Sequence, residues 1–212
     1  MSLPPQYSGH RIAGSPGARH TLELYLDYVC PFSAKLWNQV FNHVLPWLAQ
    51  KHPDLVQVII RNQIQPWHPA STLTAEAALA VEKVDPTQFA RYSNVLFTQQ
   101  KKFFDEAVVD KSRSDIYNEL VSLIPTSPEP STILTEEGVF SLLHIPPVQD
   151  ANQSTNAGNK VTNDLKYFIK LGRQNGIHVS PTAVWDGVVE NSISSGWTLD
   201  DWKKFVLSKL QV

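Results

Sequence analysis

The clearest periodicity lies at the two ends of the chain. Leu22, Leu24 and Leu26 alternate with other residues over 21–27, which predicts a strand with one buried face. Directly after it, Leu36, Trp37, Val40, Phe41, Val44 and Leu45 recur at helical spacing. Pro31 suits the first turn of that helix, where its missing N–H costs nothing. Pro46 predicts a kink, and His52-Pro53-Asp54 an end. Residues 55–60 (LVQVII) read as a buried strand. Strand, helix and strand at this separation form a βαβ unit with parallel strands. The loop 65–69 should therefore leave the same sheet edge as the first strand-to-helix junction.

From 71 to 171 the pattern turns helical. Segments 75–84, 88–104, 114–124, 135–143 and 152–171 each carry helical apolar spacing, with Ser114 a candidate cap and Pro146-Pro147 a stop. Residues 126–130 are a Pro-containing break too short for a domain linker. Period two returns at 180–185, followed by Asp186-Gly187 as a two-residue hairpin turn and a second strand over 188–193. Thr198-Leu199-Asp200-Asp201 resembles a capping box opening a helix over 200–210. The order is β-α-β, a block of helices, then β-β-α. This predicts an α/β fold built from 21–70 and 172–212, with an all-helical insertion over 71–171 and a flexible lead over 1–20, which is rich in Pro, Gly and Ser.

Composition narrows the chemistry. With 212 residues and 42% hydrophobic content the chain can bury a full core. A formal net charge of −2 supplies no basic field for nucleic acid or anionic membrane. No apolar run is long enough to span a bilayer, and residues 1–19 carry no signal-type apolar stretch. The single cysteine, Cys30, excludes an internal disulfide and suggests a reducing, cytoplasmic compartment. The remaining histidines, His10, His20, His43, His52, His144 and His178, are scattered and show no metal-ligand spacing around that one cysteine.

Cys30-Pro31-Phe32-Ser33 at the first strand-to-helix junction, with Val179-Ser180-Pro181-Thr182 about 150 residues later before a hairpin, resembles the DsbA-like branch of the thioredoxin superfamily. That branch includes the kappa-class glutathione transferases and the hydroxychromene-carboxylate isomerases. The resemblance covers the chain from Thr21 onward and implies a thioredoxin fold with a helical insertion. It implies that Cys30 is the nucleophile, that Pro181 is the cis-proline facing it, and that Ser180 offers backbone groups to a substrate. Ser33 stands where dithiol members carry a resolving cysteine, so the chain would be a monothiol variant.

A thiol at a helix N-terminus faces unpaired N–H groups that favour its thiolate. The Ser33 hydroxyl, one turn in, is placed to donate to it or to serve only as a first-turn serine. Pro31 and Phe32 flank the thiol. His68 suits polarising the thiol or holding a substrate carboxylate, and equally suits a surface loop. Trp67 fits a groove wall or a core anchor. Asp27 fits a buried proton-passing carboxylate or a surface position. Ser194-Ser195-Gly196 would suit a glutathione carboxylate at the last helix, or an ordinary turn.

The expected activity is that of a thiol oxidoreductase or a glutathione-linked transferase. Glutathione would be its co-substrate, with no metal, and its partner would be a small thiol or an extended peptide beside Pro181. A non-redox binding protein that keeps the groove, and a glutathione-dependent isomerase, are the alternatives. A homodimer is compatible with the sequence.

Overall fold

A computed structural model describes residues 3–125, 131–148, 150, 152 and 155–210. The anticipated break at 126–130 lies outside them. The central strand β2 (His20–Leu26) pairs parallel with β3 (Val56–Asn62), and the sheet runs β1-β3-β2-β4-β5, with β1 (Arg11–Ala13), β4 (Thr182–Trp185) and β5 (Val188–Val189) all antiparallel to their neighbours. Between β2 and β3 lie α1 (Pro31–Gln39) and α2 (Leu45–Lys51). Between β3 and β4 lie the insertion helices α3 (Ser71–Val84), α4 (Phe89–Thr98), α5 (Asp105–Val108), α6 (Arg113–Ser122), α7 (Glu136–Leu143) and α8 (Thr162–Gln174). The chain closes with α9 (Leu199–Leu210).

Strand alternation sorts the two sheet faces. Leu22, Leu24, Leu26, Val58 and Ile60 join the main core with Leu36 and Trp37 of α1 and Trp202 and Val206 of α9. At about 2 kcal/mol per fully buried aliphatic side chain, this face is the principal source of cohesion. Across the sheet, Glu23, Tyr25, Ile59 and Arg61 point the other way, and α8 lies against β3 there. The Arg61 Nε donates to Glu23 Oε2 at 2.7 Å, both residues being buried. Asn175, just past α8, donates to the Tyr25 hydroxyl at 3.2 Å.

Several expectations need correcting. Within the expected flexible lead 1–20, the described residues 3–20 are structured: β1 pairs with β3, and a 3-10 turn at Pro5–His10 buries Tyr7 and His10. Apolar residues in this stretch are too few to show a period, but Tyr7 stacks on Tyr167 and meets Phe168 at a tilt, and its hydroxyl donates to Asp164 Oδ1 at 2.9 Å. The last insertion helix begins at Thr162, not 152. Asn156 and Gly158 adopt φ of 49° and 80°, and a Cβ on Gly158 would meet Thr162 Oγ1 at 2.2 Å, so a helix cannot run through them. Helix α6 is capped by Ser112 in a capping box with Asp115, not by Ser114. The strand after the hairpin is only Val188–Val189, while Asp186 and Gly187 both have positive φ as a type I′ turn requires.

Pro46 acts by a route the sequence only half suggested. Lacking an N–H, it cannot bond the carbonyl four residues back, and a π-helical turn at Val40–Val44 absorbs the mismatch before α2. The Leu45 N–H accordingly donates to the Val40 carbonyl, five residues earlier.

The packing of Tyr7 sets a test of the N-terminal correction. Tyr7→Ala should lower unfolding free energy by about 3 kcal/mol in denaturant titrations, the cost of emptying a buried aromatic site. A change below about 0.5 kcal/mol would restore the flexible-lead reading.

Candidate active site

The site is built on the turn that joins β2 to α1. The Cys30 N–H donates to the Asp27 carbonyl at 3.1 Å, closing a four-residue turn, and the Val29 N–H donates to Asp27 Oδ1 at 2.8 Å. Asp at the first position of a turn commonly accepts from the backbone two residues on. Cys30 then sits in extended conformation at the N-cap of α1, where its carbonyl accepts the Ala34 N–H at 3.1 Å. The sequence thereby delivers a thiol to a helix start with Pro31 in the first turn.

The other end of the chain covers this thiol. The Ser180–Pro181 peptide bond is cis, and Cys30 Sγ donates to the Ser180 carbonyl at 3.5 Å. Cys30 is 5% exposed. Its neighbour Phe32 is 64% exposed, so the cover over the sulfur is the Ser180 loop and not Phe32. From the insertion, Gln100 donates its side-chain amide to the carbonyls of Tyr28 at 3.0 Å and Cys30 at 3.3 Å. The Tyr28 hydroxyl pairs with Ser93 at 2.8 Å, and burial pushes its phenol well above the ordinary tyrosine range, so it stays neutral.

Asp27 proves to be the centre of the site. Its carboxylate is fully buried and accepts from the Gln65 N–H at 2.8 Å and from the Ser71 hydroxyl at 2.7 Å to Oδ1, in addition to Val29. His68 Nδ1 lies 3.3 Å from Oδ2, which orients the ring through that nitrogen. Alternation along β2 left Asp27 open between the interior and the surface. Burial is decided by donors arriving from the loop after β3 and the start of α3. Ser33 is buried too, and its hydroxyl accepts the Asp27 N–H at 3.3 Å. It thus joins the same turn as well as standing one turn into the cysteine's helix.

The loop after β3 reaches the thiol's surroundings. His68 lines a cleft of about 210 Å³ with Val29, Pro31, Phe104, Asp105 and Glu106. Trp67 is 59% exposed, which removes the core-anchor reading, and its ring meets His68 edge-on at 6.0 Å. Ser195 and Gly196 line a different groove, with Lys35, Asn38 and His43 of the α1–α2 region. Sequence reasoning passed over Ser71, Gln100, Phe104, Asp105 and Glu106. Ser71 directly precedes a helical run and so carried a weak signal. The others carried none, because only the folding of the insertion brings them here. Among the described residues no cluster of His, Cys, Asp and Glu could hold a metal ion. Nor is any described helix long and apolar enough to cross a membrane.

Comparison with known proteins agrees with this fold. A family model described as Thioredoxin matches residues 7–206. A candidate protein-disulfide isomerase from Pseudomonas syringae superposes with a TM-score of 0.71 at 25% identity, covering 94% of this chain and 99% of that one. DsbA from Chlamydia trachomatis gives a TM-score of 0.63 at 19% identity, over 94% and 90%. A periplasmic thioredoxin-like protein from Salmonella enterica serovar Typhimurium gives 0.60 at 19%, over 100% and 95%. At 19% identity these likenesses carry the fold alone. No curated protein sequence matches. The cytoplasmic expectation is overturned, since the same fold occurs in a neighbour described as periplasmic. One cysteine excludes an internal disulfide, but it does not identify a compartment.

Asp27 offers a direct test. Asp27→Ala leaves two backbone N–H groups, the Ser71 hydroxyl and His68 without their acceptor, and should cost about 3 kcal/mol or more of stability. Ser71→Ala, removing one donor of the set, should cost about 1 kcal/mol. Equal, negligible losses in both variants would mean that the carboxylate is dispensable to the fold.

Proposed function

Since the chain belongs to the thioredoxin family, we propose that it carries out thiol–disulfide exchange as a monothiol enzyme through Cys30. The observation that carries this reading is the placement of the only thiol at the N-cap of α1, against the carbonyl beside the cis Ser180–Pro181 bond. Unpaired N–H groups at the helix start stabilise negative charge on sulfur. The thiolate attacks one sulfur of a disulfide, a new S–S bond forms to Cys30, and the other sulfur leaves as a thiolate. With no second cysteine in the chain, an external thiol must attack that mixed disulfide to free Cys30.

Glutathione is the proposed co-substrate, as both the disulfide attacked and the thiol that completes the cycle. Ser180 supplies backbone groups to the bound partner. Pro31, Phe32, Trp67 and His68 border the approach, Phe32 and Trp67 as exposed aromatic surface. Ser33 donates to the sulfur when it is charged, a role its hydroxyl can combine with accepting the Asp27 N–H. A non-redox binding protein is the second reading, and the near-complete burial of Cys30 favours it. Under that reading the groove beside Pro181 holds a ligand and the thiol never reacts.

Intact mass spectrometry separates the two. Incubation with oxidised glutathione should add one glutathione to the folded protein, and the adduct should persist until an external thiol is supplied. Ser33→Cys should release the bound glutathione unaided by closing an internal disulfide, as the spacing does in dithiol relatives. If the folded protein takes up no glutathione while the denatured protein does, the binding-protein reading stands instead.

A further inference from the structure

The cleft beside Cys30 has a character that thiol–disulfide exchange by itself does not require. Its walls are apolar at Val29, Pro31 and Phe104, and its mouth carries the carboxylates of Asp105 and Glu106. Both acids open α5 and are exposed, and among the described residues neither makes an ion pair. Behind the cleft, His68 is backed by the buried Asp27 carboxylate. No lysine or arginine lines the cleft, and Lys101 and Lys102, exposed one turn earlier in the chain, are not ion-paired to the acids. The cleft volume of about 210 Å³ lies below the usual range for sites that hold whole small molecules and suits a single side chain.

We infer that the cleft is a specificity subsite for a basic side chain, lysine or arginine, next to the reacting cysteine of an extended peptide substrate. The inference rests on the thiol-exchange reading above and names the substrate class for that site. The methylene stem of such a side chain covers the apolar walls while its charged head meets the carboxylates at the mouth, the arrangement that long basic side chains adopt on mixed surfaces. Phe104 in the wall and the exposed Trp67 next to His68 supply aromatic faces that favour a cation. An acidic side chain at the same place would meet two carboxylates, Asp105 and Glu106, with His68 as the single basic group in the lining.

The test uses the full chain and a pair of short disulfide-activated cysteine peptides, identical except for arginine or glutamate beside the cysteine. The rate of mixed-disulfide formation on Cys30 is followed by mass. At low salt the arginine peptide should react about fivefold faster, the size of effect exposed charge pairs allow, and 0.5 M salt should shrink the ratio. In the double variant Asp105→Asn, Glu106→Gln the ratio should fall to about one. Asp200→Asn, which removes an exposed carboxylate at the start of α9, should leave it unchanged. Equal rates for the two peptides, or a preference that survives the double variant, would overturn the subsite while leaving exchange at Cys30 in place. Failure of both peptides and of oxidised glutathione to modify Cys30 would instead defeat the exchange reading, and the subsite with it.

Discussion

One buried carboxylate organises the sheet edge that carries Cys30. Asp27 directly follows β2, and a charge placed there without partners would be costly in a protein interior. It is tolerated because donors converge on it from three stretches of chain: the Val29 N–H of its own turn, the Gln65 N–H after β3, and the Ser71 hydroxyl at the start of α3. Those bonds fold the loop after β3 back over the β2–α1 junction. His68 is drawn in with that loop, and Cys30 is set at the helix start by the turn whose first residue is Asp27. The thiol's position, the histidine's orientation and the entry to the insertion thus share one acceptor.

The rest of the fold supplies a platform and a cover. The leucines of β2 bind the sheet to α1 and α9, which makes the cysteine's helix a rigid mount. On the other face the Glu23–Arg61 pair is buried under α8, where removing either partner would strand a charge. The cover comes from distant sequence. Ser180 lies 150 residues from Cys30, and Gln100 holds the carbonyls of Tyr28 and Cys30 from the middle of the insertion. The thiol is thus held between a helix start and a backbone carbonyl and is almost entirely buried.

The places where sequence reading and structure part company have separate causes. The N-terminal segment carries too few apolar residues to show a period, yet Tyr7 and His10 are buried through contacts with Tyr167, Phe168 and Phe89, far along the chain. The helix expected over 152–171 starts only at Thr162, because Asn156 and Gly158 adopt positive φ that a helix does not allow. The compartment inferred from a lone cysteine failed for a different reason. A count of thiols constrains covalent structure and carries no address.

Sequence alone determined the features that depend on near neighbours. The first strand (expected over 21–27, found at His20–Leu26), the helix opened by Pro31, the Asp186-Gly187 turn and the Thr198–Asp201 cap are each decided within a few residues, by side-chain period, ring geometry or a local hydrogen bond. The Cys-Pro-x-Ser string and the distant Ser-Pro pair pointed to the helix-start thiol and the cis bond beside it for the same reason, since both are short and chemically distinctive. What surrounds that thiol was decided only in three dimensions. Asp27 could have faced water or the interior, and donors from residues 65 to 71 chose the interior. Phe104, Asp105 and Glu106 became cleft residues because the insertion folds back beside Pro31. Burial and electrostatic environment are sums over residues far apart in sequence, and no local pattern encodes that sum.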